Sequence, residues 1–397
     1  MNSNQKVNRF NLVKIIPGYL MYLGVIIFFS FQATAFEFAR PDFVEGKITM
    51  IPAHLVAHSP RFCFWIFDDV RVSSDFERQL NSIVTSMENR VLKPLTEHYF
   101  SAFLEEEDDN CWNVVFDNIR DQAFWQGKDY GKNYRAYVNP ELLGERTVLM
   151  DLPRAWDRPE QLYSRLAHEL MHLIGHQIDP LEETFLEEGL AELMEYSLFG
   201  QIPFLQIEAF YNFPTRSLTD FNQRPQAAYG QNFLFMAYVK AHFGSTEFIL
   251  DLLNDQKLQG MLSLGKTLQD HLLPSFEFIW RHFSLALLLN TDRFSKRQLF
   301  YFPGLSDQLG QVARARAKAG SFVVPAYSQV YLRASGQYEL TLPQDSPLEA
   351  YLVFRWSDQR LHINSPNDWS AQQATRPTQA TWVIVNSSAT DGVFELR

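Results

Sequence analysis

Two histidines and a glutamate lie close together in the chain, at His168, Glu169 and His172. If they lie on an α-helix, the two histidines are one turn apart on the same face, and both rings can reach one metal ion. Imidazole nitrogens suit zinc, which takes about four ligands and, in a catalytic site, keeps one position for water. Glu169 would lie about 100° around the helix from His168, close enough to accept a proton from that water. The spacing therefore predicts a metal site with a general base.

The segment 159–177 has the pattern of a buried helix that would carry this site. Apolar residues recur in it at helical spacing, namely Leu162, Leu166, Leu170, Leu173 and Ile174. Two histidines and a glutamate on such a helix need partners, because burying polar groups unpaired is costly. A metal ion would be one such partner. A pair of hydrogen-bonded core histidines is the alternative.

A third ligand is expected from a second helix over residues 183–199, which is rich in Leu, Met, Ala and Glu and is followed by Gly200. Glu188 is the first candidate. Glu192, four positions on, would share its face and could accept a hydrogen bond from a ligand histidine. Glu187 would point about 100° away and is the fallback ligand. A solvated helix face is the alternative interpretation of these glutamates.

The residues around this site resemble the gluzincin metallopeptidases. The string His168-Glu169-Leu-Met-His172, followed by Phe-Leu-Glu-Glu188-Gly-Leu-Ala-Glu192, is similar to their zinc motif and to the second helix that carries their third ligand, a glutamate. By this resemblance the metal ligands are His168, His172 and Glu188. The distance in sequence from His172 to Glu188 is slightly shorter than in thermolysin-type members, which keeps Glu187 open as a ligand.

The resemblance extends to residues 228–244, which begin Ala-Tyr229-Gly-Gln-Asn-Phe-Leu-Phe and are similar to a stretch of the hyicolysin-like secreted bacterial peptidases. In related gluzincins a tyrosine at this point hydrogen-bonds the tetrahedral oxyanion, so Tyr229 is the implied transition-state stabiliser. An ordinary residue at a helix start is the alternative for Tyr229. The metzincin pattern is excluded, because its third histidine would fall at Ile178.

The resemblance implies a fold and an activity. It implies an α+β protein with a thermolysin-like catalytic domain, in which a mixed sheet precedes a mostly helical subdomain. It also implies one Zn²⁺ ion and a peptide or protein substrate, hydrolysed by a zinc-activated water with Glu169 as general base. The acidic loop by which exopeptidases of this class hold the substrate amine is not visible, which favours an endopeptidase. The alternative is a non-catalytic binding protein on a metallopeptidase scaffold.

Residues 1–35 have the layout of a secretory signal peptide. Three basic residues and no acidic ones accompany an apolar run at 15–31, and Ala-Thr-Ala35 has the form of a signal peptidase site. Cleavage after Ala35 would release a secreted or periplasmic protein with no membrane contact. A retained N-terminal membrane anchor is the alternative, because the apolar run is near the ~18-residue threshold for spanning a bilayer.

Charge and cysteine content are consistent with a secreted enzyme. The formal net charge of −11 becomes −14 once the three basic residues of the leader are removed, which argues against nucleic acid or an anionic membrane as a partner. Cys63 and Cys111 could form one disulfide in an oxidising compartment, or one of them could be buried and free.

Composition and periodicity divide the chain into four parts: the leader 1–35, a mixed α/β part 36–158, a helical part 159–317 and a β domain 318–397. In the last part, alternating runs are separated by clusters of Pro, Ser and Asn. This pattern predicts a small all-β, sandwich-like domain.

Within the second and third parts, 36–158 and 159–317, strands and helices are expected at defined positions. Residues 36–60 are punctuated by proline and are expected to be irregular. Buried strands are expected at 61–70, 112–119 and 147–152. Beyond the two site helices, further helices are expected at 231–242, 245–253 and Phe276–Leu289.

Overall fold

A computed structural model describes most of the chain beyond the predicted leader. It covers residues 36–42, 47–59, 61–72, 74–98, 111–117, 136–137, 139–144, 146–151, 159–222, 224–254, 257–291, 299–310, 312–334, 340–355, 361–364 and 379–396. The leader and its cleavage site, within 1–35, lie outside the described residues. In the described part of the chain, no helix has both the length and the apolar character that crossing a membrane requires.

A six-stranded mixed sheet forms the N-terminal part. Its strands are β1 (Phe36–Asp42), β2 (Lys47–His58), β3 (Phe62–Phe67), β4 (Trp112–Asp117), β5 (Ala136–Tyr137) and β6 (Thr147–Asp151), in the order β1-β2-β3-β4-β6-β5. Strands β3, β4 and β6 run parallel, and the other pairs are antiparallel. The parallel strands are almost entirely buried, as expected for strands covered on both faces.

The prediction that residues 36–60 are irregular is wrong, because most of them form the β1–β2 hairpin. Pro41 and Pro52 favoured a loop, but a proline removes only its own N–H donor from a ladder. Strand β2 pairs with β1 on one side and β3 on the other, and the carbonyl of Pro52 accepts a hydrogen bond from the Asp68 backbone at 3.0 Å. The pairing of β2 with a strand on each side therefore outweighs the preference of its proline for a loop.

A disulfide joins Cys63, in β3, to Cys111, just before β4, with the Cα atoms 5.6 Å apart. It crosslinks two neighbouring parallel strands over a sequence separation of 48 residues. The disulfide between Cys63 and Cys111, which the sequence left open, is therefore formed. Such a crosslink stabilises a fold mainly by restricting the unfolded chain, typically by about 2–4 kcal/mol.

Short helices lie between strands of the N-terminal sheet, and helices then form most of residues 159–289. The first are α1 (Ser74–Met87), which continues through a π-helical turn (Glu88–Leu92) into α2 (Lys93–His98), and α3 (Pro140–Leu143). The later ones are α4 (Pro159–Ile178), α5 (Thr184–Phe199), α6 (Phe204–Asn212), α7 (Pro225–His242), α8 (Thr246–Asn254), α9 (Gly260–Asp270) and α10 (Phe276–Leu289). With the mixed sheets, these helices confirm the α+β class.

The C-terminal part contains two further sheets. Strands β8 (Gly320–Val324), β10 (Leu340–Thr341) and β14 (Gly392–Leu396) form one, in the order β10-β14-β8. The other has the order β12-β11-β13-β9-β7 and consists of β7 (Ala315–Arg316), β9 (Ser328–Ala334), β11 (Leu348–Arg355), β12 (Leu361–Asn364) and β13 (Gln379–Asn386). Within the described residues of 318–397 the regular elements are all strands, and the sandwich-like β domain stays a prediction.

The five-stranded sheet buries both of its faces. Trp382 and Ile384 on β13 belong to a cluster shared with the three-stranded sheet, whereas the alternate residues Val383 and Val385 belong to the main core with the helices. This is the two-residue period of a strand covered on both sides. The predicted boundary at 318 falls between β7 and β8, and its role as a domain boundary stays a prediction.

Polar contacts also fix the five-stranded sheet to α10. The Tyr331 hydroxyl donates a hydrogen bond to the Ser284 carbonyl at 2.8 Å, and Arg281 Nη1 lies 3.1 Å from Glu349 Oε2. The described residues between 36 and 396 belong to one compact unit. The helices and the C-terminal strands therefore contribute to one shared core.

Candidate metal centre

Helix α4 presents the two histidines. Its apolar stripe is buried throughout, and consists of Leu162, Leu166, Leu170, Leu173 and Ile174. The stripe anchors the helix in the core, so that His168 and His172 project from one face with their rings 4.8 Å apart. The side chain of His168 is 4% exposed and that of His172 is 17% exposed, so the site opens on the His172 side.

Helix α5 brings Glu188 to the histidines. It ends at Gly200, whose left-handed backbone (φ 65°) suits a glycine cap. The next residue after the ligand position, Gly189, faces helix α7: a Cβ there would lie 2.8 Å from Met236 Cγ and 3.3 Å from the Asn232 carbonyl oxygen. Glycine therefore permits the close approach of α5 and α7, which bring Glu188 and Tyr229 together.

The three side chains converge on one point. His168 Nε2 and His172 Nε2 are 3.1 Å apart, and Glu188 Oε2 lies 3.3 Å from the first and 3.4 Å from the second. One potential ligand atom from each residue lies within 4.8 Å of the others, so the group could hold a metal ion. Two imidazole nitrogens and a carboxylate oxygen form a donor set that zinc accepts.

The contacts within this group fit a cation. Neutral imidazole nitrogens that face each other with lone pairs repel, whereas a cation between them would attract both rings and the carboxylate. Glu188 Oε2 is buried and makes no hydrogen bond of ordinary geometry with the described residues. The other oxygen, Oε1, accepts a hydrogen bond from the Tyr229 hydroxyl at 3.0 Å. Glu188 thus keeps one oxygen directed to the histidines.

The charges of the group stabilise one another. Burial alone would raise the pKa of Glu188, but the nearby His172 and His168 rings hold it well below its usual range. Burial lowers the pKa of His172, and the carboxylates of Glu188, Glu169 and Glu187 more than offset this and raise it to about 9. Without a metal the group is therefore a strongly coupled set of opposite charges.

Glu195 supports the outer side of His168. Its Oε1 lies 3.4 Å from His168 Nδ1 and 3.4 Å from Arg165 Nε, and its Oε2 accepts a hydrogen bond from Ser164 Oγ at 3.0 Å. Neither His168 Nδ1 nor Glu195 Oε1 makes a hydrogen bond of ordinary geometry with the described residues, so the two atoms are neighbours at 3.4 Å. A carboxylate that accepts from the outer nitrogen of a ligand histidine orients the ring and increases the basicity of its other nitrogen. Sequence reasoning assigned this role to Glu192 and missed Glu195.

Glu192 lies close to the same group. It is buried, and burial together with the neighbouring Glu195 charge raises its pKa. Glu188, Glu192 and Glu195 stand at positions i, i+4 and i+7 of α5, which is the spacing of one helix face. Extending the face by one more turn would have identified Glu195 from the sequence. A contact of Glu192 with a ligand histidine stays a prediction.

Glu169 and Tyr229 adjoin the ligand group. Glu169 is 7% exposed, and its charge acts on the pKa of both His172 and Tyr229. Burial and the Glu188 carboxylate raise the pKa of Tyr229, so its hydroxyl stays protonated and can donate. The ring of Tyr229 packs edge-on against Phe221, with 5.0 Å between centroids. The structure thus brings the predicted base and the predicted donor to the same site.

Glu187, the fallback ligand, lies beside the group rather than in it. Within the described residues, the set that could hold a metal contains Glu188 and not Glu187. Glu187 instead lines a pocket next to His172. Burial, together with the charges of other carboxylates, raises its pKa although His172 lowers it.

Comparison with protein-family models gave no match, and no curated protein was found to be similar to this chain.

Proposed function

We propose that the chain is a secreted zinc metallopeptidase of gluzincin type with a thermolysin-like catalytic domain. The observation that carries this proposal is the convergence of His168 Nε2, His172 Nε2 and Glu188 Oε2 within hydrogen-bonding distance of one another. A purely structural histidine pair would not require the buried carboxylate Glu169 beside it. The mixed sheet that leads through β6 into the histidine helix also suits this class.

Each residue of the site has a role that its position allows. His168, His172 and Glu188 would hold the zinc ion, which when bound lowers the pKa of a water ligand and polarises a peptide carbonyl. Glu169 accepts the proton of the attacking water and passes it to the leaving amine. Tyr229 donates a hydrogen bond to the developing oxyanion. Glu195 holds the His168 ring in the orientation that leaves Nε2 free.

Secretion is proposed from the signal peptide that the sequence predicts over residues 1–35. We propose that residues 1–35 are removed by cleavage after Ala35. The mature protein then binds a peptide or protein substrate and has no nucleic acid or membrane partner. The Cys63–Cys111 disulfide is in keeping with an oxidising compartment. N-terminal sequencing of the exported protein tests this. A retained leader would indicate the membrane-anchored alternative.

Catalysis is tested with Glu169→Gln, which removes the base and keeps the shape of the side chain. Zinc should bind at about one ion per chain in both proteins, and cleavage of casein should fall by roughly 10²–10⁴-fold in the variant. Glu208→Gln, at an exposed position of α6, is a matched control for the lost charge and should cleave normally. A chain fully loaded with zinc that cleaves no protein or peptide would favour the non-catalytic binding protein instead.

A further inference from the structure

The loop that joins α6 to α7 holds a buried arginine. Arg216 is 7% exposed, and among the described residues its hydrogen bonds go to neutral oxygens. Its Nη1 donates to Gln231 Oε1 at 2.8 Å, and its Nη2 donates to the Asp220 carbonyl. Gln231 in turn donates from Nε2 to the Arg216 carbonyl at 3.5 Å. Arg216 thus joins the loop before α7 to the helix itself.

Burying this cation is unfavourable. Burial lowers the pKa of Arg216 to about 10, although the Asp220 charge acts in the opposite direction. Its Nε is buried without a hydrogen-bond partner among the described residues. An apolar side chain in this place would avoid that cost. In some proteins buried charged groups are retained because they specify one arrangement of the elements around them, and the partners of Arg216 indicate which arrangement that is here.

The loop contacts the start of α7 on two sides. Beyond Asp220 it returns to the helix at Phe221, whose ring meets the Tyr229 ring edge-on with 5.0 Å between centroids. Tyr229 and Gln231 are two positions apart in α7, which places them about 200° apart around the helix. Phe221 therefore contacts one side of α7 and Arg216 contacts the opposite side. We call residues 214–221 the clasp.

Helix α7 begins without a capping side chain. Arg224, at the N-cap position, has a left-handed backbone (φ 56°) and makes no side-chain hydrogen bond to the helix. A serine, threonine, aspartate or asparagine there would bond a backbone N–H of the first turn and stabilise it. Tyr229 lies directly after this turn, so contacts from outside the helix can decide where its hydroxyl points.

The clasp is also bonded to the C-terminal part of the chain. The Leu218 N–H donates to the Tyr327 carbonyl at 2.9 Å, and Gln329 Nε2 donates to the Pro214 carbonyl at 3.0 Å. Leu218 and Gln329 are fully buried, so both bonds are shielded from water. The clasp is thus held by two elements, α7 and the start of β9.

We propose that the clasp sets the direction of the Tyr229 hydroxyl, with Phe221 and Arg216 as its positioning residues. Phe221 contacts the tyrosine ring, and Arg216 holds the loop that carries Phe221 against α7. The hydroxyl then donates to Glu188 Oε1 at 3.0 Å, beside the two histidines. The inference deepens the proposed peptidase function and rests on the role proposed there for Tyr229.

The test is a double-mutant cycle on the zinc-loaded mature protein. Phe221→Ala is measured in the native chain and in a Tyr229→Phe chain, in which no hydroxyl remains to be directed. We expect Phe221→Ala to lower kcat by roughly 2–10-fold in the native chain, with little change in KM, and by less than about twofold in the Tyr229→Phe chain. A merely structural role of Phe221 would lower kcat equally in both chains.

Three further variants sharpen this test. Phe221→Tyr keeps the ring and should hold kcat within about twofold of the native value. Phe204→Ala removes the same kind of side chain from an exposed position of α6 and should leave kcat unchanged. Arg216→Met should lower kcat by roughly 2–10-fold, again only while Tyr229 keeps its hydroxyl. If Arg216→Met does not fold, Phe221→Ala still decides the question, because Phe221 is only half-buried.

Zinc affinity, measured by competition with a chelator, gives a readout independent of cleavage, because Tyr229 also bonds Glu188. Phe221→Ala should weaken zinc binding by roughly 2–10-fold in the native chain and by less than about twofold in the Tyr229→Phe chain. Dependence on the hydroxyl in either measurement supports the clasp.

The clasp and the peptidase function can fail separately. An effect of Phe221→Ala that is absent, or equal with and without the hydroxyl, in both kcat and zinc affinity overturns the clasp and leaves the peptidase function intact. A chain that cleaves no peptide but shows the dependence in zinc affinity removes the proposed function and retains the clasp. A chain that binds no zinc removes both.

Discussion

At the scale of single residues, the candidate metal centre depends on the side chains beside the three proposed ligands as much as on the ligands themselves. His168 has Glu195 on one nitrogen and the ligand group on the other. Glu188 divides its two oxygens between Tyr229 and the histidines. These arrangements fix which atom of each residue faces the metal position.

Zinc affinity should depend more on Glu195 than on Glu192. Glu195→Ala removes the carboxylate 3.4 Å from His168 Nδ1 and should weaken zinc binding by roughly 10–100-fold, as measured by competition with a chelator. Glu192→Ala, one turn away on the same face, is the comparison and should have the smaller effect. If Glu192→Ala weakened zinc binding more than Glu195→Ala, Glu192 would have the supporting role that the sequence predicted. Thermal unfolding of both variants checks that they are folded.

Replacing Tyr229 by phenylalanine separates two roles of its hydroxyl. The hydroxyl donates a hydrogen bond to Glu188, so its removal would weaken zinc binding if it holds that ligand in place. If the hydroxyl instead donates to the oxyanion, its removal would slow the reaction itself. We expect kcat at saturating zinc to fall by about 10²-fold with little change in KM. An unchanged kcat with weaker zinc binding would limit Tyr229 to holding Glu188.

At the scale of helices and strands, close approaches between backbones position the site. Gly230 lies directly after Tyr229 in α7, and a Cβ there would come within 2.2 Å of the Gln206 carbonyl oxygen in α6. The contact involves backbone atoms, which cannot move away by a rotamer change. The position of Tyr229 thus depends on the packing of α6 on α7.

Gly230→Ala should therefore lower the free energy of unfolding by about 1–3 kcal/mol and reduce activity, because the start of α7 has to shift. Gly265→Ala, in α9, is the matched control: nothing lies within 4 Å of a Cβ there, and alanine should stabilise the helix by up to about 1 kcal/mol. Urea unfolding measures both. Equal stability of the two variants would contradict the packing described for Gly230.

The sequence predicted the site helices because their apolar periodicity is strong. Helix α4 was expected at 159–177 and spans Pro159–Ile178, and α10 agrees with its expected range. Helices α6 and α9 are short and were not predicted, and the β1–β2 hairpin was obscured by its prolines. Glu195 was missed although its spacing from Glu188 and Glu192 on one helix face is visible in the sequence. The grouping of Asp179, Glu182 and Glu187 beside His172 depends on how α4 and α5 pack, which no local pattern records.

At the scale of the whole molecule, the C-terminal strands share the core of the helical part. Tyr331, Val353, Val383 and Val385 belong to the main cluster of buried residues, although the sequence predicted a β domain that begins at 318. The residue pattern along a strand does not show which elements will cover each of its two faces. The sequence therefore could not show that one face of the five-stranded sheet packs on the helices. The mature chain is therefore expected to unfold as one unit.

Removing residues 318–397 should prevent stable folding of the remainder, because it would expose the surface of α10 that contacts the five-stranded sheet. The native chain should show a single calorimetric transition. Tyr331→Phe, which removes only the bond to the Ser284 carbonyl, should cost about 1 kcal/mol and serves as the mild control. A truncated chain that keeps its zinc and its melting temperature would instead support an independent β domain.

The central claim is that His168, His172 and Glu188 hold one zinc ion. Anomalous diffraction at the zinc absorption edge, from crystals of the purified protein, tests it most directly. We predict one peak about 2.0–2.2 Å from His168 Nε2, His172 Nε2 and Glu188 Oε2. The absence of a peak after zinc loading, or a peak on Asp179 and Glu182 instead, would contradict the claim.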